Sequence, residues 1–183
     1  YDPTDEGWQN RGKQASESHG FWYTSTSGIW QTVWMEAVSE NYIASYKVTP
    51  DIDTEVIAIK TDVVGTGDLK IKIYDGDKLV AEKDISADDK VAVPDMKLWS
   101  PESPFLYDFV LELSADGKVA DSIKGYFGMR KYSIGEYKGY NRLFLNNEPY
   151  FQRGLLDQGY WSDGGLTPPT DEAMIYDIAK MKE

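Results

Sequence analysis

The residues of this chain that are best suited to bind a ligand lie close together between positions 157 and 163. They are two carboxylates, one amide and two large aromatic rings: Asp157, Gln158, Tyr160, Trp161 and Asp163. Aromatic rings offer flat apolar faces to a sugar ring, while carboxylates and amides form hydrogen bonds with its hydroxyl groups. The same residues are also typical of a surface loop whose rings pack against a neighbouring element. On these residues alone, a sugar site and a structural loop both stay open.

Few other chemistries are open to the chain. It contains no Cys and a single His, which excludes thiolate metal sites, iron–sulfur clusters, a cysteine nucleophile and a His-rich metal site. His19 lies among Ser, Glu and Gly residues with no marked Ser nucleophile, so we expect a solvated loop residue. The segment GTGDLK at 65–70 has Lys where a dinucleotide-binding loop needs its third Gly, and we expect a hairpin turn there. The sequence therefore predicts no metal and no cofactor.

The charge of the chain limits its partners. Its 183 residues include 31 Asp and Glu against 19 Lys and Arg, for a formal charge of −12. Nucleic acids and anionic membranes are bound through clustered Lys and Arg, so we expect neither as a partner. No apolar run approaches the ~18 residues of a membrane span, and the acidic opening at residues 1–6 does not resemble a signal peptide. The sequence indicates no particular compartment.

An all-β domain is predicted for the middle of the chain. Apolar and polar residues alternate there with period two, as they do from Phe105 to Leu113. Turn residues separate the alternating segments, and the pairs at 75–76 and 116–117 are Asp-Gly hairpin dipeptides. About seven short strands at ~8–12-residue spacing predict an immunoglobulin-like β-sandwich. The strand-like segments are residues 29–38, 42–49, 56–59, 69–74, 79–85, 91–93, 105–113 and 119–127.

A hairpin and then a helix are predicted near the C-terminal end. Residues 143–154 read as two short strands around a turn, and Thr170 can cap a helix whose first turn contains Asp171 and Glu172. The order strand, loop, helix is how a β/α barrel begins. The helix carries an apolar stripe that stops at Glu183 without a Gly or Asn cap, and we expect the natural protein to continue. The stripe consists of Met174, Ile175, Ile178 and Met181.

Four segments, in this order, carry a family resemblance over nearly the whole chain. They are TSGIWQTVWME at 26–36 with RGKQ at 11–14 upstream, LWSPESPFLY at 98–107, GYFGMRK at 125–131, and LNNEP at 145–149 with RGLLDQGYW at 153–161. Together they resemble glycoside hydrolase family 2, the β-galactosidase- and β-glucuronidase-like enzymes. In that family such segments close a jelly-roll domain, form an immunoglobulin-like domain and begin the catalytic barrel.

The resemblance implies a domain organisation and a function. It assigns residues 1–37 to the end of the jelly-roll sugar-binding domain, 38–132 to the immunoglobulin-like β-sandwich and 133–183 to the start of the (β/α)8 catalytic barrel. The two catalytic Glu residues of the family would lie beyond Glu183, so we expect no catalytic residue in this chain. The chain would be a non-catalytic scaffold from a retaining, exo-acting β-glycosidase that hydrolyses O-glycosyl bonds. Its partners would be the carbohydrate substrate and the other domains of the same protein.

The resemblance also implies substrate-binding residues. Asp157, Gln158 and Trp161 would line the mouth of the barrel, where such sites lie. Galactosidase members carry an Arg-His pair where this chain has Asp157 and Gln158, which argues against galactosidase specificity while keeping the family. The alternative function is a stand-alone carbohydrate-binding or adhesion module of sandwich fold. An Asn-Glu pair and a second Glu in the sequence beyond Glu183 would favour the enzyme.

Overall fold

The structure of the protein, a computed structural model, describes residues 12–183 and divides them into two units. The sandwich unit is Glu36–Gln152, and the flanking unit combines the residues up to Met35 with Arg153–Glu183. Each unit has its own hydrogen-bonded strands. The start of the proposed 1–37 domain, including Arg11 of the RGKQ segment, lies outside the described residues.

Strands are the main regular elements of the described residues, and there is one helix among them. The flanking unit contains β1 (Gln14–Ala15), β2 (Tyr23–Thr24) and the helix α1 (Asp171–Lys182). The sandwich unit contains β3 (Tyr42–Asp51), β4 (Val56–Val64), β5 (Asp68–Asp75), β6 (Lys78–Ile85), β7 (Asp88–Ala92), β8 (Tyr107–Ala115), β9 (Lys118–Phe127), β10 (Tyr132–Tyr137), β11 (Tyr140–Leu145) and β12 (Glu148–Pro149).

Two antiparallel sheets form the predicted sandwich. One sheet has the order β3-β4-β7 and the other the order β6-β5-β8-β9. Alternate residues of β8 from Tyr107 to Leu113 are buried, and Leu111 lies opposite Ile71 of β5. This alternation is the period-two pattern that the sequence shows, because successive side chains of a strand point to opposite faces. The all-β, immunoglobulin-like sandwich is confirmed.

The hydrophobic core is built from residues of both sheets. Ile57 and Ile59 of β4 and Ile71 of β5 are fully buried, as is Phe109 of β8. The Phe109 ring meets the ring of Tyr46 on β3 edge-on, with 5.4 Å between centroids, so this contact joins the sheets. Burying a large apolar side chain contributes roughly 1.5–3 kcal/mol. Because each buried side chain contributes this much, the alternating apolar residues determine which face of each strand packs inward.

The two Asp-Gly dipeptides form hairpin turns, as predicted. Ala115 pairs with Lys118, and the two residues between them, Asp116 and Gly117, have φ values of 51° and 73°. A two-residue hairpin of this type needs positive φ at both central positions, which Asp tolerates and Gly adopts without strain. In the turn between β5 and β6, Asp75 pairs with Lys78, and of the two central residues only Gly76 has a positive φ, 58°. Glycine at the first central position is typical of the other common two-residue hairpin turn.

Residues 65–67 connect the two sheets and are not the predicted hairpin turn. Strand β4 ends in the three-stranded sheet and β5 begins in the four-stranded one, so the chain passes from one sheet to the other through these exposed residues. Asn41 Oδ1 accepts the backbone N–H of Thr66 at 2.8 Å. A Cβ at Gly65, which has φ 88°, would lie 2.2 Å from the same Oδ1. The close approach of the Asn41 side chain therefore explains why position 65 is glycine. A phosphate-binding role is not needed to explain it.

The strand predicted at residues 29–38 is absent, and this prediction was wrong. No residue of that segment belongs to a strand, and its apolar side chains are exposed, with Val33 at 75%, Trp34 at 73% and Met35 at 97%. A strand needs a neighbouring strand to pair its backbone N–H and C=O groups. Within the described residues no strand pairs with this segment. Alternation identifies the apolar face of a strand but not the presence of a partner.

A hairpin closes the sandwich unit. Strand β11 pairs with β12 around a turn in which Asn146 and Asn147 have φ values of 52° and 68°, which confirms the predicted hairpin. A third strand, β10, which was not predicted, pairs with β11 so that Tyr132 lies opposite Leu145. The second strand of this hairpin was predicted to reach Gly154, and that extent was wrong, because β12 ends at Pro149 and residues 151–160 form no strand.

The predicted helix begins where its capping residues indicate. Thr170 is the N-cap, and its Oγ1 accepts the backbone N–H of Ala173 at 3.2 Å. None of the residues of α1 is buried, so the apolar stripe is exposed within the described residues, with Ile175 at 65% and Ile178 at 59%. Within residues 12–183 no helix is long and apolar enough to cross a membrane.

Candidate functional site

Asp157 shapes the backbone of the predicted site. Its side chain is exposed, and its Oδ1 accepts the backbone N–H of Gly159 at 2.7 Å. Gly159 has φ 63°, a left-handed conformation that glycine adopts without strain. Asp commonly accepts a backbone N–H two residues ahead and so closes a tight turn. This turn sets the position of Gln158 and Tyr160 on either side of Gly159.

Gln158 is bonded to a residue far away in the sequence. The hydroxyl of Tyr23 donates to Gln158 Oε1 at 2.7 Å, across a separation of 135 residues. The rings of Tyr23 and Tyr160 are stacked, with centroids 4.4 Å apart and an angle of 7° between their planes. Tyr160 in turn donates its hydroxyl to the carbonyl of Thr24 at 2.6 Å. Tyr23 and Thr24, in the first segment of the flanking unit (residues 12–26), therefore hold Gln158 and Tyr160 in its second segment (residues 153–166).

The first segment is itself fixed by local hydrogen bonds. The backbone N–H of Tyr23 donates to the Lys13 carbonyl at 2.7 Å, beside the parallel pair β1 and β2. Gln14 Oε1 accepts both the backbone N–H and the hydroxyl of Thr26, at 2.9 and 3.0 Å. These contacts place Tyr23 in a defined position before any ligand is bound.

A cleft of about 390 Å³ lies beside the stacked pair in the flanking unit. This volume is at the small end of the range for ligand pockets and suits one or two sugar rings. Of the three predicted substrate-binding residues, Gln158 lines the cleft, and Asp157 and Trp161 are outside its lining. The lining residues are Gly12, Lys13, Gln14, Tyr23, Leu156, Gln158, Tyr160 and Leu166.

A second, more open hollow of about 730 Å³ also borders the stacked rings of Tyr23 and Tyr160. Tyr23 and Tyr160 line it together with hydroxyl groups and one carboxylate. The full lining is Ser18, Tyr23, Thr24, Thr26, Tyr160, Ser162, Asp163, Gly164 and Gly165. The two hollows share both aromatic rings, so one ligand could contact the stack from either hollow.

Trp161 begins a tight turn. Its backbone N–H donates to the Gly165 carbonyl at 2.7 Å, and the Gly165 N–H donates back to the Trp161 carbonyl at 3.0 Å. The Trp161 side chain is half-buried. A Cβ on Gly165 would lie 2.5 Å from Thr26 Cγ2, so this turn also packs against the first segment. Trp161 thus has a clear structural role in addition to its predicted substrate role.

Tyr23 and Gln14 were not predicted as site residues. They precede Gln158 by more than a hundred positions, and no periodic pattern in the first segment marks them. The one available signal was the aromatic run at 21–23 within a polar segment. A local pattern cannot show which distant segment an aromatic residue will contact.

Hydrogen bonds lower the pKa of several carboxyl groups in the described residues, namely Asp51, Asp53, Asp89 and Glu172. A general acid at neutral pH needs a raised pKa, so none of these four is a candidate. Hydrogen bonds from Lys131 and then Asn147 lower the pKa of Asp53, and the hydrogen bond from Lys83 lowers the pKa of Asp89. In the same residues, no group of three or more His, Asp or Glu is placed to hold a metal ion.

Three of the four sequence segments meet at one corner of the sandwich unit. The backbone N–H of Trp99 donates to the Met129 carbonyl at 2.9 Å, and Asn146 Nδ2 donates to the Trp99 carbonyl at 2.9 Å. The Arg130 guanidinium lies 4.5 Å from the centre of the Trp99 ring. A Cβ on Gly128 would lie 3.1 Å from the Trp99 side chain, so glycine allows this close packing. The segments at 98–107, 125–131 and 145–149 therefore share a structural role.

The same corner ties the hairpin to a sandwich turn. Asp53, between β3 and β4, accepts from Lys131 Nζ at 2.5 Å and from Asn147 Nδ2 at 2.8 Å. Asn146 Oδ1 accepts the Lys131 backbone N–H at 3.0 Å. The hairpin is thus bonded to the sandwich through side chains at both residues of its turn.

Curated proteins related to this chain are glycosidases. A β-galactosidase of Lactococcus lactis is 28% identical over 164 residues, covering 86% of this chain and 16% of the relative. A β-glucuronidase of Bacteroides fragilis is 30% identical over 132 residues, covering 65% of this chain and 18% of the relative. The chain therefore spans less than a fifth of the length of either protein.

Solved structures show the same fold. A crystal structure of Ruminococcus gnavus β-glucuronidase superposes with a TM-score of 0.68 at 18% identity, covering 79% of this chain and 24% of that one. The same enzyme in complex with D-glucaro-d-lactam gives a TM-score of 0.69 at 19% identity, covering 80% and 25%. Residues 41–130 match the family model described as Glycosyl hydrolases family 2. Through these residues, which include the sandwich strands from β3 to β9, the chain is similar to glycosyl hydrolases family 2.

Proposed function

We propose that this chain is a non-catalytic part of a retaining, exo-acting β-glycosidase that hydrolyses O-glycosyl bonds. The match of residues 41–130 to the model of glycosyl hydrolases family 2 supports the enzyme class. The sandwich unit acts as a scaffold, and Gln158 contacts the substrate in the cleft. Asp157 and Trp161 are proposed as further substrate-binding residues of the whole enzyme, although they lie outside the lining of this cleft. The observation that carries the binding role is the cleft in which Gln158 lies beside two stacked tyrosine rings.

The reaction itself requires two carboxyl groups close together, and the candidate site does not supply both. A retaining glycosidase needs two carboxyl groups ~5–5.5 Å apart, one as nucleophile and one as acid and base. Among the described residues that line the two hollows, Asp163 is the one carboxylate. We therefore propose that both catalytic carboxylates are supplied by residues that follow Glu183 in the whole protein.

The proposed domain boundaries remain 1–37, 38–132 and 133–183. Their rationale is that the hairpin and α1 continue into a barrel, as the family resemblance implies. The hydrogen bonds of Asp53 and Trp99 to the hairpin favour a sandwich domain that also stabilises the beginning of the catalytic domain. In that arrangement the scaffold role is to fix the orientation of the hairpin.

A second candidate function is a stand-alone carbohydrate-binding or adhesion module. The observation that favours it is an open hollow of about 730 Å³ in the sandwich unit, which has polar groups at its rim. Its lining includes Thr66, Asp68, Asp84 and Ser86 over an apolar floor of Val63, Leu69 and Ile85. A module that binds sugar there would need no catalytic domain.

Chemical-shift mapping distinguishes the two functions. The isotope-labelled 183-residue chain is titrated with 4-nitrophenyl β-D-glucoside, β-D-galactoside and β-D-glucuronide. We expect saturable shifts at Gln158, Tyr160 and Trp161 for at least one glycoside. Shifts confined to residues 63–69 and 84–87 would support the binding module and contradict the enzyme proposal.

Extension of the protein tests the catalytic part of the proposal. The chain is expressed with the coding sequence that follows Glu183, and hydrolysis of the same three glycosides is measured. We expect activity in the extended protein and an increased KM when Asp157 or Gln158 is replaced by Ala. An extended protein without an Asn-Glu pair and a second Glu would contradict the proposal.

A further inference from the structure

Gln158 lines the cleft with one end of its amide already bonded. Its Oε1 accepts the Tyr23 hydroxyl at 2.7 Å, and no other described residue forms a hydrogen bond with this amide. A primary amide has an acceptor oxygen and a nitrogen with two N–H donors. With the oxygen engaged by a phenol, the nitrogen is the end left to meet a ligand. Gln158 is thereby held as a hydrogen-bond donor.

Tyr23 is well placed to hold the amide in this orientation. Its ring is stacked on Tyr160 with 4.4 Å between centroids, and its backbone N–H is bonded to the Lys13 carbonyl. Tyr160 is anchored by its own hydrogen bond to the Thr24 carbonyl. The Tyr23 hydroxyl is therefore fixed at its distance from Gln158 by contacts that do not involve Gln158 itself.

Resting on the function proposed above, we propose that Tyr23 is a positioning residue that sets the specificity of the cleft by holding Gln158 as a donor. The sugar atom bound at Gln158 is then a hydrogen-bond acceptor, such as a hydroxyl, ring or carboxylate oxygen. Tyr23 acts through Gln158 and need not touch the sugar at that position.

The charge of the cleft agrees with an acceptor at this position. Its described lining residues include one basic residue, Lys13, whose ammonium lies 5.7 Å from the centre of the Phe21 ring, and no carboxylate. This lack of acidic residues contrasts with the chain as a whole, whose formal charge is −12. A ligand oxygen bound at the Gln158 nitrogen would therefore meet no carboxylate among the described lining residues.

Three variants test the proposal. Tyr23→Phe keeps the stacked ring and removes the hydroxyl that holds Gln158. Tyr160→Phe is the matched variant, because it removes a hydroxyl from the same stack that bonds to the Thr24 carbonyl instead. Gln158→Glu keeps an oxygen for Tyr23 and replaces the two N–H donors with an acceptor. Tyr126→Phe, a 70% exposed ring in the sandwich unit, controls for changes unrelated to the site.

The dissociation constant of each variant is measured on the full 183-residue chain with the three 4-nitrophenyl β-glycosides. The side-chain N–H2 signal of Gln158 is followed in the same titrations, because a merely structural role of Tyr23 would not alter it selectively. We expect Tyr23→Phe to weaken binding about three- to tenfold, the usual effect of one lost hydrogen bond. Tyr160→Phe should weaken it less, and Gln158→Glu about tenfold or more, since a donor is replaced by a repelling acceptor.

The possible outcomes separate this inference from the proposed function. Equal losses for Tyr23→Phe and Tyr160→Phe would overturn the positioning role but leave the sugar site in place. Undiminished binding by Gln158→Glu would overturn the donor role in the same way. If none of the three glycosides shifts any signal of residues 153–166 in the unchanged chain, the proposed function fails and the inference fails with it.

Discussion

Trp99 contributes the large aromatic ring of the sandwich corner. It is half-buried, packs against Gly128 and lies under the Arg130 guanidinium. Trp→Ala in a full core costs ~3–5 kcal/mol, and partial exposure reduces this. We expect Trp99→Ala to lower the free energy of unfolding by about 2–3 kcal/mol, measured by urea unfolding.

The matched comparison is Trp161→Ala. Trp161 is also half-buried but lies in the flanking unit, where its backbone rather than its ring forms the turn with Gly165. We expect a smaller loss of stability for this variant. An unchanged unfolding midpoint for Trp99→Ala, or a greater loss for Trp161→Ala, would contradict the role assigned to the corner.

Gly125 is required by the packing of the core. A Cβ there would lie 2.5 Å from Phe109 Cζ and 2.8 Å from the Tyr46 hydroxyl. Overpacking of a tight core typically costs ~1–3 kcal/mol, so Gly125→Ala should lower the unfolding free energy by about that amount. The control is Gly154→Ala, where a Cβ meets no atom within 4 Å. Equal stability of the two variants would show that the Phe109 ring moves aside without cost.

The ion pair of Asp53 predicts a pH dependence of stability. Hydrogen bonds from Lys131 and then Asn147 lower the pKa of Asp53 in the folded chain. A lowered pKa means that the folded state favours the carboxylate, so the stabilisation is present above the ordinary Asp pKa of about 4 and is lost as the pH falls through the folded pKa. Wild type should therefore exceed Asp53→Asn in stability at pH 7, and the difference should shrink below about pH 4.

Lys131→Gln provides the control for this pH effect. Lys131 is the leading cause of the lowered pKa, so its replacement should reduce the pH-dependent difference between chains that keep Asp53 and chains that carry Asp53→Asn. Thermal unfolding of the four combinations from about pH 2.5 to neutral pH, a range that spans the ordinary Asp pKa, gives the comparison. A difference between wild type and Asp53→Asn that grows as the pH falls would contradict the assigned direction.

At the level of elements, the strands of the sandwich differ from α1 in what protects them. Strand β8 has neighbours on both sides and four buried side chains, whereas no residue of α1 is buried. Local stability follows buried contacts, so amide hydrogens of β8 should exchange far more slowly than those of α1. Hydrogen exchange of the 183-residue chain measures this, and uniform protection of β8 and α1 would mean that α1 is covered in solution.

The sequence predicted elements well where local rules decide them. The strands of the sandwich follow from alternation, the turn at Asp116 and Gly117 from positive φ, and the start of α1 from the capping Thr170. It failed for residues 29–38, where the apolar pattern lacks a partner strand among the described residues. The hydrogen bond from Tyr23 to Gln158 was also out of reach, because nothing local relates two residues 135 positions apart.

At the scale of the whole molecule, the chain combines a well-packed scaffold with a candidate binding segment. The sandwich from β3 to β9 has a continuous core, and the corner at Trp99 and Asp53 bonds the hairpin to it. The flanking unit brings residues 12–26 and 153–166 together around the stacked tyrosines. This division agrees with the proposed roles of scaffold and substrate contact, with catalysis supplied elsewhere in the protein.

The proposed function predicts that the chain alone does not hydrolyse glycosides, and this is directly measurable. The purified 183-residue chain is incubated with 4-nitrophenyl β-D-galactoside, β-D-glucoside and β-D-glucuronide, and release of nitrophenolate is followed. Because double displacement needs two carboxyl groups and the loss of either costs orders of magnitude in rate, we predict no release above the background of the buffer. Turnover of any of these glycosides that disappears when a carboxylate of the chain, such as Asp163, is replaced by its amide would contradict the account.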